Sequence, residues 1–265
     1  MMEKMIFGRY VPADSTVHKM DPRSKLLIIF LFVCIIFLAN NWITYALIGI
    51  YTFYMLGMSK IPARFLYGGL KPVLWLVLFT LVMQLFFTKQ GDLLFKFGPV
   101  EIYEEGVRQG IYIALRFFFL ILMTSLLTLT TSPIEITDGM ETLLNPLKKV
   151  RFPVHEMALM MSISLRFIPT LMQETDKIMK AQMARGVEFD SGPLKERIKA
   201  VVPLLIPLFV SAFKRAEELA IAMEARGYRG GEGRTKFRQL SWSKVDTLQI
   251  LLLVILTILL FLLRS

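Results

Sequence analysis

Between Leu26 and Ser59 there is no Asp, Glu, Lys or Arg, and this charge-free run constrains the chain more than any other feature. An α-helix needs about 20 predominantly apolar residues to cross a bilayer core. The run is interrupted midway by Asn40-Asn41-Trp42, so it reads as two helices joined by a tight polar turn. Each arm is short for a full span. Local thinning, snorkelling by Lys25 and Lys60, or incomplete crossing must make up the difference. Further apolar runs predict a third helix over Pro72 to Thr88, a fourth over Phe117 to Ile134 and a last over Thr247 to Leu263. The fourth is expected to begin near Val107, which puts Arg116 inside or at the edge of the apolar layer. The expected fold class is all-α: a polytopic membrane protein with about five transmembrane helices.

Composition agrees with a bilayer protein. The chain is 55% hydrophobic and only 20% charged, with a mean hydropathy of +0.56, too apolar for an ordinary soluble domain. Its formal charge of +10 does not point to nucleic acid. The basic residues flank apolar runs, as expected for contact with anionic lipid and a cytoplasmic partner. Cys34 is the one cysteine, which rules out an intrachain disulfide and a thiolate metal cluster; a small hydrophobe facing lipid or core is expected there. Residues 1–25 mix five basic with three acidic residues and contain no apolar core followed by a cleavage site. They read as a retained cytoplasmic segment.

Loop charge sets the expected orientation. Five Lys/Arg precede the first helix and Lys60, Arg64 and Lys71 follow the second, whereas the Asn40-Asn41 turn has none. Basic loops stay inside, which places the N-terminus in the cytoplasm and the acidic 88–106 loop outside. Three divisions follow: transmembrane helices over 1–131, a cytoplasmic module over 132–246, and a final transmembrane helix over 247–265. The module holds 18 Lys/Arg and 14 Asp/Glu, yet apolar patches such as Met157-Ala158-Leu159-Met160-Met161 interrupt it. Long helices lying partly in the membrane interface account for that mixture. One carries Ile168, Leu171, Met172, Thr175, Ile178, Met179, Gln182 and Met183 at helical spacing. The other carries Phe209, Ala212, Phe213, Ala216, Leu219, Ala220 and Met223. Such stripes suit mutual packing, with Pro169, Pro203 and Pro207 expected to kink or restart the helices.

Both predicted helices end alike, in Ala184-Arg185-Gly186 and Ala225-Arg226-Gly227, 41 positions apart. Two readings are open. Glycine suits the left-handed residue that stops a helix and Arg complements the dipole, so each triplet is an ordinary cap. Alternatively, both guanidinium groups enter pockets on partner proteins and pair with carboxylates or carbonyls.

With these ends in view, His18-Lys19-Met20-Asp21-Pro22-Arg23-Ser24-Lys25-Leu26, Thr130-Thr131-Ser132-Pro133 and Leu165-Arg166-Phe167-Ile168-Pro169 acquire meaning. In this order the motifs resemble the transmembrane coupling component of energy-coupling factor transporters, the EcfT family, over nearly the whole chain. Gly8-Arg9-Tyr10-Val11-Pro12 looks most like the form shared by several vitamin-binding subunits. The resemblance implies a scaffold joining two ABC-type ATPase subunits to a membrane-embedded S component that binds substrate. It also implies import of vitamins or other micronutrients across the cell membrane. By the same resemblance, Arg185 and Arg226 dock on the ATPases, and the methionines of the module, among them Met157, Met160, Met161, Met172 and Met179, suit a surface accepting varied partners, against plain core packing.

The remaining motifs point to no chemistry of the chain's own. Asp21-Pro22-Arg23 reads as a helix cap, or as a contact to the coupling helices. Arg116 faces a partner or a water pocket, or snorkels outward. His155-Glu156 lacks the second His of a zinc helix, and Gly230-Gly231-Glu232-Gly233-Arg234 lacks the Gly-Lys-Ser/Thr ending of a phosphate loop. No catalytic residue, cofactor or metal is expected, and ATP hydrolysis is assigned to partners. The rival reading is a self-contained carrier or channel, which would show buried ionisable residues around a midplane site; a membrane enzyme would show clustered titratable groups at one depth.

Overall fold

A computed structural model describes residues 10–88, 90–97, 100–189, 193–230 and 238–264. The helices are α1 (Pro22–Ile35), α2 (Trp42–Ser59), α3 (Ala63–Phe87), α4 (Glu104–Thr130), α5 (Pro133–Leu143), α6 (Val154–Ala184), α7 (Leu194–Ala225) and α8 (Lys244–Leu262). Short 3-10 turns follow α1 and α5, at Ile36–Leu38 and Asn145–Val150. Two strands, β1 (Leu93–Phe97) and β2 (Val100–Tyr103), pair antiparallel ahead of α4.

The described residues form two compact units, one within 8–143 and 239–265, the other within 144–238. In the first, α1, α2, α4 and α8 share a core. Ile28 and Phe32 of α1, Ile48 and Met55 of α2, Met123 of α4 and Leu253 and Leu260 of α8 are all under 2% exposed. Gly49 makes room for this packing, since a Cβ there would stand 3.1 Å from the Phe119 ring. The outer surface is equally apolar: Phe30, Ile50, Trp75, Phe87 and Phe261 are each more than two-thirds exposed. In water such a belt would carry a large hydrophobic penalty, whereas lipid solvates it.

Among the described residues three helices, α2, α4 and α8, are long and apolar enough to cross a membrane, and α3 adds a fourth if its two arms form one span. Those arms, Ala63–Lys71 and Val73–Phe87, meet at 53°. Position 72 between them is a proline, which has no N–H for the helical ladder. The α3 helix begins nine residues ahead of its expected start and runs through Gly68 and Gly69; a Cβ on Gly69 would stand 2.9 Å from the Ser125 hydroxyl oxygen of α4, so close packing on α4 rather than helix propensity accounts for the added turns. α1 has 14 residues, fewer than a full span. The 88–106 stretch, expected as a loop, contains the β1–β2 hairpin. Gly98 and Pro99, a dipeptide that favours turns, lie outside the described residues.

Thr130-Thr131-Ser132-Pro133 marks a helix end followed at once by a helix start. The Ser132 N–H donates to the Glu135 carboxylate at 2.9 Å, and the Glu135 N–H donates to the Ser132 hydroxyl at 3.3 Å. This reciprocal pair is a capping box. It launches α5, which lies against α1 so closely that a Cβ on Gly139 would come within 3.2 Å of Pro22.

At the start of α1, Asp21 caps the helix and accepts from the Arg23 N–H at 2.8 Å. Burial works to raise its carboxyl, but the Arg23 side chain and backbone N–H outweigh it and hold the group below the usual carboxylate range. Arg23 grips it from Nε and Nη2 at 2.7–3.2 Å and stands 5.7 Å from the Trp242 ring centre. Asp246, wholly buried on α8, accepts from the Asp21 N–H at 3.0 Å, the Ser24 hydroxyl, and the Ser243 N–H and hydroxyl at 2.7 Å each. Lys25 Nζ donates to the carbonyls of His18 and Thr130. The motif is a cap, and it also latches α1 to α8.

Candidate functional site

In the second unit, α6 and α7 hold 31 and 32 residues, rods of about 46 and 48 Å. Both run through their internal prolines, Pro169 in α6 and Pro203 and Pro207 in α7, as single helices. They contact each other in antiparallel register. Leu171, Phe167 and Ile163, taken toward the start of α6, line an apolar gap of about 340 Å³ with Ala212, Ala216, Ala220 and Met223, taken toward the end of α7. Alanine every fourth residue lets the backbones approach. Phe209 and Phe213 depart from the expected stripe: they are 60% and 73% exposed. They continue an apolar face with Val202 and Leu205, one or two turns earlier, away from α6.

A polar bridge crosses the pair. Glu174 of α6 accepts from the Ser211 hydroxyl at 2.6 Å and from Arg215 Nη2 at 3.0 Å, both on α7. The Ser211 hydrogen bond, with Arg215, holds the Glu174 carboxyl below its ordinary range. This link is absent from the sequence reading. Its trace is faint: Glu174 falls three residues after Leu171, and Arg215 three after Ala212, so each sits on the apolar stripe of its helix.

The two Ala-Arg-Gly ends have one backbone geometry. At the end of α6, Arg185 is the C-cap and Gly186 has φ +86°. The Gly186 N–H donates to Met183 at 3.0 Å and the Val187 N–H to Gln182 at 3.1 Å. At the end of α7, Arg226 is the C-cap and Gly227 has φ +73°. Its N–H donates to Glu224 at 2.9 Å, and the Tyr228 N–H to Met223 at 3.0 Å. This double bond pattern is the Schellman motif, and it explains the glycines, because only they enter the left-handed region without penalty. It leaves the arginines unexplained. Every cap bond is backbone to backbone, so the arginine side chains act on the cap only through their charge at the negative end of the helix.

Arg185 and Arg226 are both exposed, and among the described residues neither guanidinium has an ion pair or hydrogen bond. Ala184 and Ala225 are exposed beside them. The fold does not bring the two arginines together. Arg226 shares a pocket with Leu159 and Arg166 in the first half of α6, whereas Arg185 closes that helix 19 residues beyond Arg166. They stand about 28 Å apart along the rod. Met157, Met160 and Met161 are exposed, and Met172 and Met179 are half-buried. Of Gly230-Gly231-Glu232-Gly233-Arg234, all but Gly230 lies outside the described residues, as do Gly8 and Arg9 of the N-terminal motif.

Two further groups stand apart from this pair. Cys34 is exposed on α1, on the apolar surface. Arg116 occupies the middle of α4, where Nη2 donates to the Ala39 carbonyl at 3.4 Å and the guanidinium stands 5.2 Å from the Phe37 ring centre.

Helices sheathed in exposed apolar side chains define a membrane protein, to which a charged two-helix unit adds arginines that make no ion pair among the described residues. Comparison with known proteins agrees. The family model for CbiQ, described as cobalt transport protein, matches residues 13–237. The Energy-coupling factor transporter transmembrane protein EcfT of Bacillus subtilis (strain 168) is 65% identical over 265 residues, covering all of both chains. The EcfT proteins of Listeria innocua serovar 6a and Streptococcus thermophilus are 58% and 50% identical, again over the full length of each chain. The chain belongs to the EcfT family, the transmembrane components of energy-coupling factor transporters.

Proposed function

We propose that this chain is the coupling subunit of an ECF-type importer for vitamins or other micronutrients, with its N-terminus in the cytoplasm of a cell-membrane complex. Residues 132–246 form its coupling module. Arg185 and Arg226 each dock on one of two ABC-type ATPase subunits, which supply ATP hydrolysis. The exposed apolar faces of α6 and α7 carry a membrane-embedded S component that binds substrate. Closing and opening of the ATPase pair shifts the helices and tips that component between outward and inward orientations. The observation carrying the reading is the display of two unpartnered arginines at well-separated points of one helix pair, on caps whose backbones do not require them.

The test is vitamin uptake and ATPase co-purification in single, double and Lys variants. Removing a guanidinium from a desolvated interfacial pair costs about 2–5 kcal/mol. Arg185→Ala/Arg226→Ala is therefore expected to abolish uptake and most assembly while the chain still inserts in the membrane. Lys is expected to rescue poorly, because it lacks the planar fork. If the arginines only cap, each loss costs about 0.3–1 kcal/mol of helix-end stability. Near-normal uptake by the double variant would then reject docking.

A further inference from the structure

Arg116 is a charge held where water is scarce. It stands on α4 seven residues, about 10 Å, beyond Gln109, the last amide or charged side chain before it. That depth is inside the apolar layer but within snorkelling reach of its edge. The protein does little to satisfy the group there. Nη2 reaches the Ala39 carbonyl at 3.4 Å, Nε is enclosed with no hydrogen-bond partner, and among the described residues Nη1 makes no hydrogen bond and no carboxylate pairs with the guanidinium. The Tyr45 hydroxyl, near enough to feel this charge, is likewise enclosed and unpartnered. The corner holds more donors than acceptors, and hydrocarbon supplies none.

From the same corner an apolar trough of about 670 Å³ runs between α2 and α4, from Trp42 and Tyr45 past Ala46 to Tyr54, and no acidic residue lines it. The 12 residues from Trp42 to Tyr54 span about 18 Å, close to one leaflet of a hydrocarbon core about 30 Å thick. At its mouth the Tyr112 ring centre lies 5.1 Å from that of Trp42 and 5.0 Å from that of Tyr45. Trp and Tyr are the residues that settle at headgroup level.

We propose that Arg116 and this trough hold one anionic phospholipid of the leaflet on the side of the Asn40-Asn41 turn, its phosphate on the guanidinium and one acyl chain lying along α2. A phosphate supplies the missing acceptors and matches the planar fork. A headgroup ammonium finds no carboxylate in the trough and is repelled by Arg116, so phosphatidylglycerol binds better than phosphatidylcholine. The trough also selects a chain over a helix: a helix about 10 Å across and 18 Å long fills roughly 1,400 Å³, twice the space present.

The test is native mass spectrometry of the full chain, freed of lipid in mild detergent and titrated with dioleoylphosphatidylglycerol. One lipid is expected to bind at least about fivefold more tightly than later ones, and more tightly than dioleoylphosphatidylcholine. Arg116→Gln is expected to weaken that first binding about tenfold and Arg116→Lys about threefold, since Lys keeps the charge without the fork. Ala46→Phe fills the trough at an exposed position. It is expected to match the loss in Arg116→Gln while leaving the guanidinium in place, so it decides the matter even where Arg116→Gln fails to insert. Glycerol 3-phosphate at the lipid's concentration is expected not to compete, because it has no chain. First-lipid affinity unchanged in Ala46→Phe overturns the proposal. Competition by glycerol 3-phosphate shows a bare anion site and overturns it as well. A dimer in the same spectra that Ala46→Phe dissociates makes the trough a contact between copies, with the same consequence.

Discussion

Charge is treated in opposite ways at the start of α1 and at the ends of α6 and α7. At the first place Asp21, Arg23, Ser24, Lys25 and Asp246 satisfy one another or nearby carbonyls, and all but the partly exposed Arg23 are buried. At the second, Arg185 and Arg226, and Arg166 and Arg229 near Arg226, lie exposed with no ion pair or hydrogen bond among the described residues. Desolvating a charge is costly unless it is paired, so the first arrangement holds a fold together and offers nothing to another molecule. The second contributes little to the chain's own stability and leaves its electrostatic potential available for binding. Stability and assembly should accordingly separate by region when residues are changed.

The sharpest break in that separation comes from Asp246. Asp246→Ala removes the acceptor for the buried Asp21 N–H and the half-buried Ser243 N–H and hydroxyl, at about 1–3 kcal/mol for each donor left unpaired, whereas the Ser24 hydroxyl keeps the Asp21 carbonyl at 2.7 Å. A loss of about 3 kcal/mol or more is expected in denaturant unfolding of the detergent-solubilised chain. An unfolding midpoint unchanged from that of the unsubstituted protein would show that the latch is ornamental. Next in size are the glycines. Gly186→Ala or Gly227→Ala forces a side chain into the left-handed region at φ +86° or +73°, at about 1–2 kcal/mol. Circular dichroism should report fraying of the corresponding helix, and ATPase binding should weaken because the preceding arginine loses its fixed aim. Retained binding alongside clear fraying would separate arginine display from cap geometry.

The smallest effect belongs to the α6–α7 bridge. Glu174→Gln is expected to cost about 0.2–1 kcal/mol, the range for exposed pairs. Because the folded pKa of Glu174 is depressed, its contribution is fully present above the unfolded value of about 4.3 and fades as pH falls below it. The unsubstituted protein should therefore lose slightly more stability than Glu174→Gln between about pH 5 and 3. Identical pH profiles would remove the carboxylate from the account of how the two helices are joined.

Much of this architecture is written locally. The caps at Gly186 and Gly227 and the Ser132 and Ser243 capping boxes depend on residues within a turn or two of each other, and the apolar lengths of α2, α4 and α8 on unbroken stretches of one helix. Such signals survive in the sequence because their physics is short-ranged. The Glu174–Ser211–Arg215 bridge and the Asp21–Asp246 latch join residues 37 to 225 positions apart. Their partners are fixed by the register in which helices pack, and no local pattern encodes that. The pocket around Arg226 falls between these cases. Arg226 was visible as part of a repeat, whereas Arg166 comes beside it only once α6 and α7 run antiparallel.

The polar bridge also divides α6 unequally. Glu174 stands 11 residues from Arg185 and 20 from Val154, arms of about 16 and 30 Å. Treated as a beam pivoting there, the helix has a mechanical advantage below one: a small displacement applied at the arginine end sweeps the far end through roughly twice the distance, at half the force. Such gearing favours travel over thrust. It suits a load that must be moved several ångströms through a yielding medium more than one that must be pried from a tight grip.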